Sequence, residues 1–217
     1  MLTGIDNMRI IDISMELSPD IVIWPEHDSF LHTQTSEISS FCSCFESKIS
    51  MGIHTGTHID APKHFIQNGK PLQDLRLEKC LGPAFLIEIL DSTVITAKDL
   101  ALADIPPGTK RLLVKTKNSL PTNKNNKFLF DEDFVGFSVD AASWIICFGI
   151  ELIGCDYLSV QPYHGSDEVH KILLEKECVI LEGLNLELVS KGPYDLICLP
   201  LRIRDAEGSP VRAVLVG

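Results

Sequence analysis

The sequence predicts a mixed α/β fold, rich in strand. Three features carry that expectation. Runs of large apolar and β-branched residues recur at 84–90, 111–116, 151–158, 178–182, 194–204 and 211–216, each near strand length. Segments opening on Ser or Thr, with helical character, lie between several of them. No stretch of the chain repeats another, which sets solenoids aside.

The first strand is expected at 9–14, where Arg-Ile-Ile-Asp-Ile-Ser precedes a turn at Leu17-Ser-Pro19. A short apolar piece at 21–24 ends in Trp24-Pro25. Residues 44–60 carry β-branched side chains in partial alternation and suit an extended chain. Residues 84–90, Ala-Phe-Leu-Ile-Glu-Ile-Leu, form a strand. Thr96 caps a short helix to Ala103, with Asp99 at its third position and Pro106-Pro107-Gly108 stopping the chain beyond it. A strand at 111–116 follows, then the only long polar stretch, 117–133, read as a solvated loop. Ser138 caps a helix to about 148, closed by Gly149. Ser166 caps another over 167–177, with Val169, Ile172 and Leu173 on its apolar side. The strands 194–204 and 211–216 are joined by Asp-Ala-Glu-Gly-Ser-Pro, a turn-rich connection.

With 217 residues and 45% hydrophobic content, the chain can bury a substantial core, and it is expected to form one domain over residues 1–217. The formal charge of −11, with no basic run, disfavours nucleic acid as a partner. Lys124 and Lys127 fall within the polar loop. No apolar run reaches the ~20 residues of a membrane span, and the first residues lack the basic and apolar regions of a signal peptide. A cytoplasmic protein is expected. Its seven cysteines are odd in number and lack zinc-ribbon spacing. They read as free thiols, with Cys42-Ser-Cys44 too short a motif to mark a metal or redox site. No cysteine has an activating neighbour pattern, and no G-x-S-x-G occurs.

Chemistry concentrates in Met51-Gly-Ile-His54-Thr-Gly-Thr-His58-Ile-Asp60-Ala-Pro-Lys-His64-Phe. On a helix Asp60 would lie about 200° beyond His58, and Gly56 and Pro62 oppose a helix. In an extended chain His54, Gly56, His58 and Asp60 point one way, with room for an ion beside Gly56. Two imidazoles and a carboxylate form a catalytic type of divalent-metal site when positions remain open for water. His64 suits a fourth ligand or a proton carrier. A single histidine is ordinarily a satisfied core or surface residue; three of them with an Asp in phase are not explained that way.

The run His-Thr-Gly-Thr-His-Ile-Asp-Ala-Pro-Lys-His-Phe resembles the signature of the metal-dependent cyclase family, which includes bacterial kynurenine formamidases and isatin hydrolases. Further similarity lies at Leu17-Ser-Pro19, Trp24-Pro25, Leu81-Gly82-Pro83, Gly154-Cys-Asp156-Tyr-Leu-Ser159, Glu182-Gly183-Leu184, Leu199-Pro200-Leu201 and Ser209-Pro-Val-Arg212. The resemblance implies a swivelling β/β/α cyclase-like fold with a central barrel-like sheet and flanking helices. It implies His54, His58 and Asp60 as metal ligands, with Asp60 bridging where two ions bind, and His170 and Glu182 as further ligands. From the residues alone, the last two look like an ordinary helix residue and an ordinary strand-end acid. His64 becomes the catalytic proton shuttle, and Trp24 lines a substrate pocket at a homodimer interface; a higher homo-oligomer also fits. One or two ions, zinc or manganese, would serve hydrolysis of a small-molecule amide.

The expected activity is that of an arylformamidase. An isatin-like cyclic amide hydrolase is the alternative, and a non-catalytic metal-binding protein a more distant one. The chain departs from kynurenine formamidases at Trp24-Pro25-Glu26-His27 and at Ser159-Val-Gln-Pro-Tyr163-His164, which leaves the substrate open. His164 also competes with His170 as the distal ligand.

Overall fold

Successive residues of the central strands point to opposite faces of one sheet, and both faces are buried. Leu112 packs into one apolar cluster and Leu113 into another, and the same split separates Ile87 from Leu86, Ile153 from Leu152 and Ile180 from Leu181. That is why these segments read as unbroken apolar runs: parallel strands covered on both sides need no polar face.

The computed structural model describes residues 9–119 and 129–217. Its strands are β1 (Ile10–Asp12), β2 (Leu31–Ser36), β3 (Glu46–Ser50), β4 (His58–Asp60), β5 (Leu81–Ile89), β6 (Arg111–Thr116), β7 (Leu152–Cys155), β8 (Val179–Glu182), β9 (Gly192–Ile197), β10 (Gly208–Pro210) and β11 (Val214–Val216). Helices α1 (Ala97–Leu102), α2 (Val139–Phe148) and α3 (Glu168–Glu175) connect β5 to β6, β6 to β7 and β7 to β8. These crossovers keep β5–β8 mutually parallel. The nine-stranded sheet runs β1-β11-β9-β5-β6-β7-β8-β4-β10, antiparallel outside the central four strands. β2 and β3 form a separate hairpin.

The sheet curls on itself. Ile13, just past the edge strand β1, shares a core with Ile59 of β4 and Leu181 of β8. Ser14 bridges Leu184 beyond the end of β8, and the Asn185 amide donates to the Ile13 carbonyl. The three helices cover the outer face through Leu100, Ala141, Ala142, Ile145, Val169, Leu173 and Leu174. This is the barrel-like sheet with flanking helices that the family resemblance implies. None of the helices in the described residues is long and apolar enough to cross a membrane.

Helix ends follow local chemistry. Thr96 and Asp99 form a reciprocal capping box, Ser138 caps α2, and Gly149 closes it at φ 90°. The cap of α3 differs from expectation: Asp167 holds the cap position, and the Ser166 hydroxyl accepts instead from the Glu168 amide.

Three strand expectations are corrected. The 44–60 segment is not continuously extended; β3 stops at Ser50, a turn closes from Thr55 N to Gly52 O, and β4 begins at His58. The 194–204 strand ends at Ile197, where pairing with β5 and β11 runs out. Part of the expected turn at 205–210 is instead β10, which pairs with β4. Gly208 permits this, because a Cβ there would lie 2.7 Å from the Ile59 carbonyl oxygen. Within the polar stretch 117–133, residues 120–128 lie outside the described residues, as does the start of the chain through residue 8. The expectation for Lys124 and Lys127 lies there too.

Because the two faces of β6 feed separate cores, Leu112→Ala and Leu113→Ala are each expected to cost about 2–5 kcal/mol. Urea unfolding of the two single variants measures it.

Candidate metal centre

Two glycine turns set the site. Gly56 (φ 68°) precedes β4 and Gly183 (φ 69°) follows β8. Both adopt a backbone region that suits glycine, and the turns meet backbone to backbone: a Cβ on Gly183 would lie 2.3 Å from the Gly56 oxygen. The Thr57 hydroxyl ties them further by donating to the Gly183 carbonyl at 2.5 Å. The register that results places His58 directly opposite Glu182 and Asp60 opposite Ile180.

His54 arrives from the turn before β4, rather than along a continuous strand, and lies against β10, where a Cβ on Gly208 would sit 2.9 Å from its ring. His170 reaches in from α3. The outcome is two overlapping groups of ligand-type atoms: His54, His58 and Asp60, and Asp60, His170 and Glu182, each group within 4.8 Å. Asp60 belongs to both.

The distances are short. His54 Nδ1 lies 2.9 Å from Asp60 Oδ1, and His58 Nε2 lies 3.1 Å from Glu182 Oε2 and 3.5 Å from Asp60 Oδ1. His170 Nε2 lies 3.3 Å from Glu182 Oε1 and 3.7 Å from Asp60 Oδ2. Yet His54 Nε2, His58 Nε2 and both Asp60 oxygens are buried with no hydrogen-bond partner. Buried polar atoms are normally paired, and an unpaired buried carboxylate is especially costly. Close, unaligned and convergent nitrogen and oxygen donors fit a divalent cation, whose charge and vacant orbitals satisfy all of them at once.

Neighbouring groups orient these side chains. His58 Nδ1 donates to the Gly56 carbonyl at 2.9 Å, which turns Nε2 toward the carboxylates. The Val160 amide donates to Glu182 Oε1 at 2.7 Å. His170 Nδ1 is 2.8 Å from Gln161 Oε1, and the Phe65 ring stacks on the His170 imidazole at 4.2 Å.

His64 ends a short 3-10 turn, Pro62–His64, that Pro62 starts. Its ring stacks on that of His54 at 3.9 Å and stands 6.1 Å from that of His170. Burial lowers its pKa, favouring the neutral imidazole. His164 points elsewhere: it is exposed and lies 3.3 Å from Glu132, so His170 is the one that joins the cluster.

Trp24 packs with Phe130 (5.2 Å), Tyr163 (5.4 Å) and Phe134 (6.3 Å). Tyr157 stacks on Phe134, and its carbonyl accepts from the Gly183 amide, joining this aromatic group to the end of β8. Sequence reasoning missed Phe65, Phe130, Val160, Gln161 and Tyr163. Phe65 lay inside the histidine-rich run, and Val160, Gln161 and Tyr163 in the stretch that departs from kynurenine formamidases; Phe130 carried no signal. All seven cysteines are free.

Without a cation the cluster holds protons instead. Burial disfavours the His58 imidazolium, but the adjacent Asp60 and Glu182 carboxylates outweigh it and push the pKa from 6.5 to about 10. A raised folded-state pKa contributes stability below 6.5 that disappears as pH climbs through about 10. Metal-stripped protein should therefore lose stability between pH 6.5 and about 10. Added divalent cation should restore it across that range, as read by thermal unfolding at several pH values.

Comparison with known proteins agrees with this architecture. The family model described as "Putative cyclase" matches residues 11–162. "Cyclase-like protein 3" of Arabidopsis thaliana is 36% identical over 219 residues, covering 96% of this chain and 79% of that protein. "Kynurenine formamidase" of Bacillus thuringiensis subsp. konkukian (strain 97-27) is 37% identical over 206 residues, covering 94% and 96%. A solved structure described as a potential metal-dependent hydrolase with cyclase activity superposes with a TM-score of 0.81 at 29% identity, covering 96% of this chain and 98% of the other. From its matched segment, its relatives and its fold, the chain belongs to the cyclase family.

Proposed function

We propose that this protein is a metal-dependent hydrolase of a non-peptide amide C–N bond, with arylformamidase activity on N-formylkynurenine or a similar aryl formamide. The observation that carries this is the pair of buried ligand groups sharing Asp60, whose oxygens have no protein hydrogen-bond partner. The 37% identical kynurenine formamidase supports the reaction class. His54, His58 and Asp60 would hold one ion, and Asp60, His170 and Glu182 a second where two bind; zinc and manganese both suit this nitrogen and oxygen set. A bound divalent ion supplies Lewis acidity, acidifying water and polarising the amide carbonyl.

The chain's own residues do the rest. His64, held neutral by burial beside His54, takes the proton from the attacking water and returns it to the leaving nitrogen. That protonation lets an arylamine leave as a neutral molecule rather than an amide anion. Trp24, with Phe130 and Tyr163 next to it, offers ring faces and edges to an aromatic substrate. The whole chain works as one domain, residues 1–217, in the cytoplasm and as a homodimer, the assembly that the family resemblance implies.

A cyclic amide such as isatin is the second reading, favoured by Glu26-His27 after Trp24-Pro25, where kynurenine formamidases differ. Turnover of N-formylkynurenine, isatin and formanilide by the metal-loaded protein, measured with metal content, decides between the two. Hydrolysis of none of them would sink the amidase assignment. Two variants test the roles. His64→Ala should keep its metal while kcat/KM falls by roughly 10²–10⁴-fold; unchanged turnover would remove His64 from the mechanism. Asp60→Asn should strip bound metal at both groups, and retention of wild-type metal content would refute the shared-ligand assignment.

A further inference from the structure

Three consecutive residues after β7 handle two members of the second ligand group. Ser159 accepts from the Gln161 amide through its hydroxyl at 3.2 Å. Val160 donates its amide to Glu182 Oε1 at 2.7 Å, and Gln161 meets His170 Nδ1 through Oε1 at 2.8 Å. The strap is itself pinned. The Phe137 amide donates to the Val160 carbonyl at 2.7 Å. Gly136 lies so close to the 161–162 peptide that a Cβ there would meet the Pro162 nitrogen at 2.6 Å. Gln161 and His170 are both buried, so water does not substitute for either partner.

An amide oxygen can only accept a hydrogen bond. When the ring is neutral, a His170 bonded to it through Nδ1 carries its one proton on that nitrogen and keeps a lone pair on Nε2, the atom 3.3 Å from Glu182 Oε1 and 3.7 Å from Asp60 Oδ2. The opposite amide orientation would donate to Nδ1 and move the proton to Nε2. His170 would then be a hydrogen-bond donor to Glu182 and could not ligate a cation. Phe65, stacked on the ring at an interplanar angle of 17°, restricts its tilt but does not choose between its nitrogens. That choice falls to Gln161.

We propose that Gln161 is a positioning residue: through its side-chain oxygen it fixes His170 as the Nδ1–H tautomer and so delivers Nε2 to the cation site formed with Asp60 and Glu182. The assignment rests on the metal-dependent reading above. It also gives a role to a residue in the very stretch where the chain departs from the kynurenine formamidases. A neutral amide does this without adding a third carboxylate beside Asp60 and Glu182.

Metal-stripped full-length protein is titrated with zinc against a chromophoric chelator, and with cobalt followed by its visible absorption. The binding step that His170→Ala weakens identifies the site. Gln161→Leu, which keeps much of the volume and removes the acceptor, is expected to weaken that step about 10–100-fold and alter its cobalt bands. Gln161→Glu keeps an acceptor-only oxygen and should bind zinc at that step more tightly than Gln161→Leu does. A Gln161→Leu protein that binds zinc like wild type would overturn the assignment while leaving the metal site standing. So would a Gln161→Glu protein as impaired as Gln161→Leu, since volume alone would then be at stake. Wild-type protein that binds no zinc, or whose binding ignores His170→Ala, overturns the underlying metal reading and this inference together.

Discussion

Asp60 buries its carboxylate completely, with no aligned hydrogen-bond donor for either oxygen and with His54, His58 and His170 around it. Taking such a charge out of water costs several kcal/mol, which the groups around it must offset. Much of the local structure serves to hold that arrangement in place. The two glycine turns allow β4 and β8 to meet in the register that faces His58 with Glu182. Gly208 lets β10 close against His54 on the other side. What is unfavourable for the polypeptide alone is favourable for a cation in its midst.

The division of the sheet explains where such a site can be built. Its central parallel strands are sealed by the barrel core on one face and three helices on the other, and they are rigid because both faces are close-packed. Polar side chains therefore emerge where strands end. Glu182 is the last residue of β8, His170 comes from the helix that precedes that strand, and the strap 159–161 follows β7. This is the carboxyl end of the parallel strands, the usual place for a ligand in an open α/β sheet. β4 runs antiparallel to β8, so its first residue, His58, meets the last of its neighbour. The aromatic group of Trp24, Phe130 and Tyr163 is carried by irregular segments.

Local chemistry in the chain sufficed for some of this. The capping box at Thr96 and Asp99 and the Ser138 cap involve residues within a few positions of each other, and their hydrogen bonds form as the sequence suggests. The apolar runs of β5 and β6 were equally plain, since burial on both faces leaves no polar residues to blur them. Period-two reasoning over 44–60 did worse. It rightly gathered His54, His58 and Asp60 on one side but supposed an unbroken strand. Gly56 at positive φ turns the chain there, and a glycine in the sequence does not announce the sign of its φ.

The sequence by itself determined that a dense set of imidazoles and a carboxylate occurs in one short run, that strands and short capped helices surround it, and that the run resembles a metal-dependent family. Only the tertiary structure decided that His170 rather than His164 joins the cluster, and that Gln161 lies against the distal histidine. The reason is physical. Short-range patterns report which way neighbouring side chains point, whereas bringing α3, the end of β8 and the strap 159–161 to one carboxylate depends on sheet register and close backbone approach between residues far apart in the chain.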